Sequence, residues 1–431
     1  MLLKFIFVLS LVLSVIVAYR SSHVSRRHYQ QEFHQSSNIQ LDGDDVIEII
    51  KRYGYPVEGY TVVTEDGYLL QLFRIGSGIH NSEWDSDQND SQKDIKNHNS
   101  QSDSSLKRPA VLLIPGIESS ALDFVIGGPD QSLAFILADN GFDVFLGNVR
   151  GSRFGRTHKT LDPDHDPAFW RFCWEDIAVK DLPAIIDTIY STARPEHLMY
   201  VGHMQGSTLF YIMASEKAEY RDRVHVMITL GPIAFLGNTK NLMLKLASEK
   251  KDLAGWITRN FGQNEFKPSK EAMEDGGMQD CLRSKDEIMC KHSFFLLNGY
   301  NSNQLNMTTV ERLMKNMLKY TGTATKELLH YGQLVKSGRF TNMQGEDYNL
   351  QRINTPIILI YTTHDMASTV EDVDMLLRHL PGVYRAVKIT ELTNNLDLLF
   401  GNNVGDIVYK RLIAVLRSEW SSLICKSKSN L

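Results

Sequence analysis

A chain of 431 residues with a 42% hydrophobic share can bury a large core, which excludes disorder throughout. It leaves room for one big α/β domain with an insertion, or for two smaller domains. The net charge of −5 is spread over both signs, so there is no basic stripe to neutralise phosphates and nucleic acid is not an expected partner.

Met1-Leu2-Leu3-Lys4 is followed by an apolar, uncharged run from Phe5 to Ala18 and then by polar Tyr19, Arg20 and Ser21. This is the three-part layout of a secretory signal peptide, expected over residues 1–18, with an N-terminal extension over 19–44. The run is too short for a comfortable membrane span, and no later stretch is long enough. Export is therefore expected, to the extracellular space ahead of a lysosome, between which the sequence does not decide, and with it an environment that permits disulfides.

Beyond residue 45 the chain reads as a core over residues 45–236 and 350–425. It carries a polar loop over 79–108 whose centre, 81–105, is rich in Asn, Ser, Asp, Gln and Lys and cannot bury enough to order itself. Asn89-Asp90-Ser91 in that loop, and Asn306-Met307-Thr308 further on, fit the N-glycosylation pattern. Short apolar runs at 110–114, 144–146, 198–201, 226–230, 357–361 and 387–389 alternate with amphipathic segments. Such alternation predicts a mostly parallel sheet flanked by helices. Between 237 and 349 the alternation gives way to a helical pattern, read as a cap inserted over the sheet. A last helix is expected at about 404–420, with Ile407, Val408, Leu412, Val415 and Leu416 at helical spacing.

Of the four cysteines, Cys281 and Cys290 lie close together in a polar segment and are the candidate disulfide. Cys173, beside Trp170, Phe172 and Trp174, reads as a small buried hydrophobe, and Cys425 falls in a ragged tail. No Cys-His spacing suggests zinc, and no metal or cofactor is indicated.

After the run at 198–201 comes Gly202-His203-Met204-Gln205-Gly206, then a helix-like stretch through Ser207, Leu209, Phe210 and Met213. Two glycines flanking one residue between a strand and a helix describe a nucleophile elbow, whose centre would carry serine. The plain alternative is a simple strand-to-helix turn.

Several separated segments together resemble the acid lipase family, which includes gastric and lysosomal acid lipases and insect relatives. Gly54-Tyr55-Pro56 with Thr64-Glu65-Asp66-Gly67-Tyr68 is similar to the family's opening segment. Leu146-Gly147-Asn148 with Arg150-Gly151 resembles the stretch after its second central strand, and Phe169-Trp170 and Asp181-Leu182-Pro183-Ala184 fit as well. Cys281 and Cys290 match the family's disulfide spacing, and Gly299, Ser302 and Asn306 sit in a version of the following motif. The likeness runs from about Asp45 to Trp420 and implies the α/β-hydrolase fold with a helical cap.

The resemblance also implies serine, aspartate and histidine in that chain order: an attacking oxygen, an orienting carboxylate and a proton shuttle. The nucleophile position falls on Met204, the aspartate on Asp365 in His364-Asp365-Met366-Ala367, and the histidine on Asn395 in Asn394-Asn395-Leu396-Asp397. Only the aspartate is kept. The oxyanion donors are expected to be the backbone N–H groups of Ile117 and Gln205, and Asn395 is a candidate hydrogen-bond partner for Asp365. Ser207, His203 and His364 adjoin the triad positions but are expected to point elsewhere. Pro115 replaces the family's histidine before the oxyanion glycine, and the stretch between Phe340 and Tyr348 is shorter than the family pattern. The expectation is an inactive lipase-like protein that binds a lipid, another apolar ligand or a protein not identified by the sequence. The alternatives are an ester hydrolase acting on neutral lipids, through a relocated nucleophile or an acid and water mechanism at Asp365, and a storage or reproductive-fluid protein without a ligand.

Overall fold

The computed structural model describes residues 45–79, 108–241, 322–391 and 394–429, with scattered short stretches between 244 and 313. The 1–18 signal peptide, the 19–44 extension, Cys281, Cys290, Asn89 and Asn306 lie outside the described residues, as does nearly all of the polar loop.

Ala110–Ile114 is five apolar residues, all buried, and forms strand β3. Alternate side chains serve opposite faces: Leu112 and Ile114 join one core cluster, Val111 and Leu113 the other. A strand without polar alternation has both faces covered, the condition of a parallel sheet between helix layers. In chain order the strands are β1 (Glu58–Val63), β2 (Leu69–Ile75), β3, β4 (Asp143–Leu146), β5 (Leu198–His203), β6 (Val224–Leu230), β7 (Glu265–Phe266), β8 (Thr323–Ala324), β9 (Ile357–Thr362) and β10 (Val383–Ile389). Eight of them make one sheet in the order β1-β2-β4-β3-β5-β6-β9-β10. β1, β2 and β4 pair antiparallel, and every pairing from β4 onwards is parallel.

The helices that cover the sheet include α1 (Val46–Arg52), α2 (Leu133–Asp139), α3 (Leu182–Thr192), α4 (Gln205–Glu216), α5 (Thr325–Ser337), α6 (Val370–His379) and α7 (Lys410–Ser429). Asp45 caps α1 by accepting from the Ile47 N–H at 2.8 Å. Thr369 caps α6 by accepting from the Asp372 N–H. Each satisfies a backbone donor that the helix geometry leaves without a partner.

Three details depart from the sequence reading. β10 begins at Val383, four residues before its apolar run, because β9 supplies a parallel partner along the whole length. α7 continues to Ser429, so Cys425 lies in a helix and not in a ragged tail. Within 237–349 the described residues hold a two-stranded ribbon, β7 with β8, as well as α5. Cys173 is buried, as its aromatic neighbours suggested.

Candidate active site

β5 must turn sharply to enter α4, and residue sizes dictate how. A side chain on Gly206 would meet the Ile114 carbonyl oxygen at 2.3 Å, and one on Gly202 would meet the Gly206 backbone at 2.6 Å. Both contacts are impossible, so only glycine fits either place. Between them Met204 sits at φ 47° and ψ −110°, a conformation that ordinary side chains rarely adopt. Two hydrogen bonds hold it there: the Met204 N–H donates to the Leu230 carbonyl, and its own carbonyl accepts from the Ser207 N–H, each at 2.9 Å. The strained backbone expected of a nucleophile elbow is thus present around a thioether.

The other two positions expected to hold a triad lie close to each other beside Gly231. Asp365 follows β9 and Asn395 precedes the short helix Asp397–Phe400. At Gly231, just past β6, a side chain would begin 3.6 Å from Asp365 Oδ2 and 3.7 Å from Asn395 Cβ. Asp365 Oδ1 accepts from the backbone N–H groups of Ala367 and Ser368 at 2.8 and 3.0 Å, which fixes the carboxyl. Its Oδ2 and the Asn395 Oδ1 are both buried without a partner, so the expected Asn395–Asp365 hydrogen bond is not formed.

Neighbouring side chains are committed elsewhere. Ser207 is fully buried and donates to the Gly202 carbonyl at 2.8 Å. The His203 Nε2–H donates to the Asn395 carbonyl at 3.0 Å, tying the elbow to the loop that carries position 395. Burial pushes the His203 imidazole down to about 4, so the ring is neutral. Its Nδ1 is buried without a partner, on the side of Gly116. His364 Nδ1 engages the Thr363 hydroxyl at 2.8 Å.

The Pro115-Gly116-Ile117 turn passes directly beside the elbow: a side chain on Gly116 would begin 3.6 Å from Met204 Cβ. Among the described residues, no backbone carbonyl accepts from the Ile117 or Gln205 N–H. That is the state required of donors kept for a ligand oxygen. Asn148 braces the loop, since its Oδ1 accepts from the Ala121 N–H at 2.9 Å and its Nδ2 donates to the Gln71 carbonyl at 2.8 Å.

The sequence reading missed three further carboxyls around this turn, Glu327 and Asp123, which are buried, and Glu118, which is half-buried. The Gln205 amide donates to Glu327 of α5 at 2.6 Å, and Thr323 and the Ala324 N–H also donate to Glu327. Burial, with the charge of Glu327 second, pushes Glu118 up to about 7, and burial likewise lifts Glu327 to about 7. Burial raises Asp123 to about 8 and Asp365 to about 7, against the opposing pull of their backbone hydrogen bonds. Glu118 was visible in the sequence as a charged residue next to Ile117. Glu327 gave no local sign, being 122 residues from its partner.

A pH dependence follows. Unfolded carboxyls titrate near 4, so between about pH 4 and 7 these four groups bind more protons in the folded chain than in the unfolded one; they outnumber His203 and His330, whose burial lowers them and works the other way, and stability falls as pH rises. Asp66 and Asp176, held below the usual carboxylate range, give stability that is lost only at more acidic pH. The melting temperature is therefore expected to be higher at pH 5 than at pH 7.5. Asp365→Asn should shrink that difference by stabilising the neutral-pH form. Thermal melts across the range decide it, and a melting temperature that rises from pH 5 to 7.5 contradicts this assignment.

Known proteins resemble this chain in sequence and fold. The family model for a partial alpha/beta-hydrolase lipase region matches residues 46–128, and that for the alpha/beta hydrolase fold matches residues 109–390. Gastric triacylglycerol lipase of Bos taurus is 31% identical over 390 residues, covering 87% of this chain and 91% of the relative. Lysosomal acid lipase/cholesteryl ester hydrolase of Homo sapiens is 31% identical over 388 residues, covering 86% and 90%. Among solved structures, an epoxide hydrolase from Vigna radiata superposes with a TM-score of 0.50 at 13% identity, over 84% of this chain and 98% of that one, a likeness of fold.

Proposed function

The chain belongs to the acid lipase family of α/β-hydrolases, and from that membership we propose that it is a secreted lipase-like protein that does not hydrolyse esters and holds a lipid in the inherited cleft. One observation carries the reading: Met204 occupies the elbow in the strained nucleophile geometry while Asn395 stands where the base would be. A thioether has no proton to give up and an amide is not a base, so neither acyl transfer nor its proton shuttle can run. The burial of Ser207 supports the same conclusion, because its hydroxyl is spent inside the turn.

The relatives are named for triacylglycerols and cholesteryl esters, so the ligand class is a neutral lipid or its fatty acid, with a carbonyl or carboxylate oxygen at the Ile117 and Gln205 donors. The proposal includes a cap over residues 237–349, a Cys281–Cys290 disulfide within it, glycans on Asn89 and Asn306, and export through the 1–18 signal peptide. No helix among the described residues is long and apolar enough to cross a membrane. Among the described residues, no group of three His, Cys, Asp or Glu side chains could hold a metal.

The purified protein is expected to take no label from a fluorophosphonate probe and to leave short- and long-chain fluorogenic esters intact from acidic to neutral pH. Solvent extraction of the native protein with mass spectrometry should release a lipid. Labelling at any serine returns the protein to the enzymes, and a cleft that is empty in native material removes the lipid.

A further inference from the structure

We infer that Met204 is a site of reversible oxidation whose sulfoxide oxygen is held by the oxyanion donors, the backbone N–H groups of Ile117 and Gln205. The inference rests on the elbow geometry and stands whether or not the cleft carries lipid.

The atom count along the side chain is the starting point. In a serine hydrolase the tetrahedral intermediate runs from Cβ through Oγ to the former carbonyl carbon and then to the oxyanion, the third atom from Cβ. Methionine sulfoxide runs from Cβ through Cγ to Sδ and then to oxygen, again the third atom. Both central atoms are tetrahedral, the sulfur counting its lone pair, and Cε stands where the acyl chain would leave. At position 204 the backbone holds the elbow conformation, with φ 47° and ψ −110°. The same branch of side chain is therefore launched from the same place, with Gly116 directly alongside.

The surroundings favour the oxidised form. Met204 is only partly buried, packed with Ile117 against the core beneath, so a small oxidant can reach it. The thioether is a weak acceptor and leaves the two N–H groups unused, as they are among the described residues. A sulfoxide oxygen is a strong acceptor, and two N–H groups that no backbone carbonyl engages are available to it. The oxidant is a peroxide. A sulfur lone pair attacks one peroxide oxygen, the S–O bond forms as the O–O bond breaks, sulfur loses two electrons and the peroxide leaves as water. Reduction by a methionine sulfoxide reductase restores the thioether: two thiols supply the two electrons and become a disulfide, and the sulfoxide oxygen leaves as water. In the oxidised protein the hole is filled by the chain's own oxygen, so a ligand carbonyl or carboxylate is displaced from it.

Sulfoxide sulfur is chiral, and only one epimer can point its oxygen at the two donors while keeping Cε in the cleft. The test oxidises the intact protein with limiting hydrogen peroxide, digests it, and treats the peptides with the two reductases that each accept one epimer. At Met204 one epimer is expected in at least about tenfold excess, below the hundredfold or more that one oxyanion donor contributes to acyl transfer. The partly buried Met343 and Met375 should give both epimers in similar amounts. Hydrogen exchange in the segments holding Ile117 and Gln205 should slow in the oxidised protein. Equal epimers at Met204, exchange that oxidation does not slow, or a Met204 that stays reduced while Met343 and Met375 are fully oxidised would each overturn the assignment.

Discussion

Met204→Ser combined with Asn395→His turns the protein into an ester hydrolase, whereas neither change alone does. In a serine protease, losing the serine or the histidine singly removes about a million-fold, nearly as much as losing the whole triad, because the members act as a unit. Read in reverse, a single restoration leaves the deficit almost untouched and the pair recovers it. The scaffold is ready for both. A serine at 204 inherits the strained φ and ψ and the Leu230 and Ser207 backbone bonds that aim its hydroxyl. A histidine at 395 meets Asp365 Oδ2, which is buried and lacks a partner in the natural chain. The expected gain is at least about a thousandfold in kcat/KM on a short-chain fluorogenic ester, with fluorophosphonate labelling confined to residue 204. Adding Asp365→Asn should then remove most of it, because the same change in a serine protease leaves the imidazole in the wrong tautomer. A double variant that folds and stays inert would mean that the cleft, and not the triad, is what has been lost.

The elbow was legible in the sequence because sterics leave no choice there: two glycines four apart are needed wherever a strand and helix pass so closely, and the clashes at Gly202 and Gly206 confirm the reason. The central strands were legible for a related cause, since a run such as Ala110–Ile114 is apolar on both faces only when both faces are covered. β1 gave no such signal. Its burial alternates weakly along Glu58–Val63, and its place in the sheet is set by pairing with β2, which joins Glu58 to Arg74 across a turn. What could not be read is what pairs over long distances. The His203 bond to the Asn395 carbonyl spans 192 residues, and the Gln205 bond to Glu327 spans 122. Neither leaves a period or a spacing behind, and the failed Asn395–Asp365 bond shows that adjacency in a family pattern does not fix which atoms meet.

Arg150→Met should destabilise the fold by about 3–5 kcal/mol, the range for removing one partner of a buried ion pair. The guanidinium is 1% exposed and bridges two carboxylates. Its Nε and Nη2 donate to Asp181 Oδ1 at 2.8 and 2.6 Å, and Nη1 and Nη2 donate to the two Asp66 oxygens at 2.7 and 2.9 Å. The Arg150 backbone N–H donates to Asp181 Oδ2 at 2.9 Å, and the Tyr68 ring lies 4.1 Å beneath the charge. Asp181 is wholly buried, so it depends on this one guanidinium; Asp66 is partly exposed and has Lys180 at 3.3 Å in reserve. The loss should therefore be concentrated at Asp181, and that gives the prediction its signature. With the guanidinium gone, burial raises Asp181 against only the backbone N–H of residue 150, its folded state favours the proton, and the stability deficit narrows as pH falls. Arg150→Lys keeps a charge but not the fork that serves two carboxylates, so it should lie between. Arg150→Met with Asp181→Leu should recover much of the loss, because no buried charge is then left unpaired. Urea unfolding of the four proteins at pH 5 and 7.5 separates the cases. A single variant within 1 kcal/mol of the natural chain would mean that water reaches Asp181 and that packing of Tyr68 and Phe172, not the ion pair, secures the loop that carries Arg150.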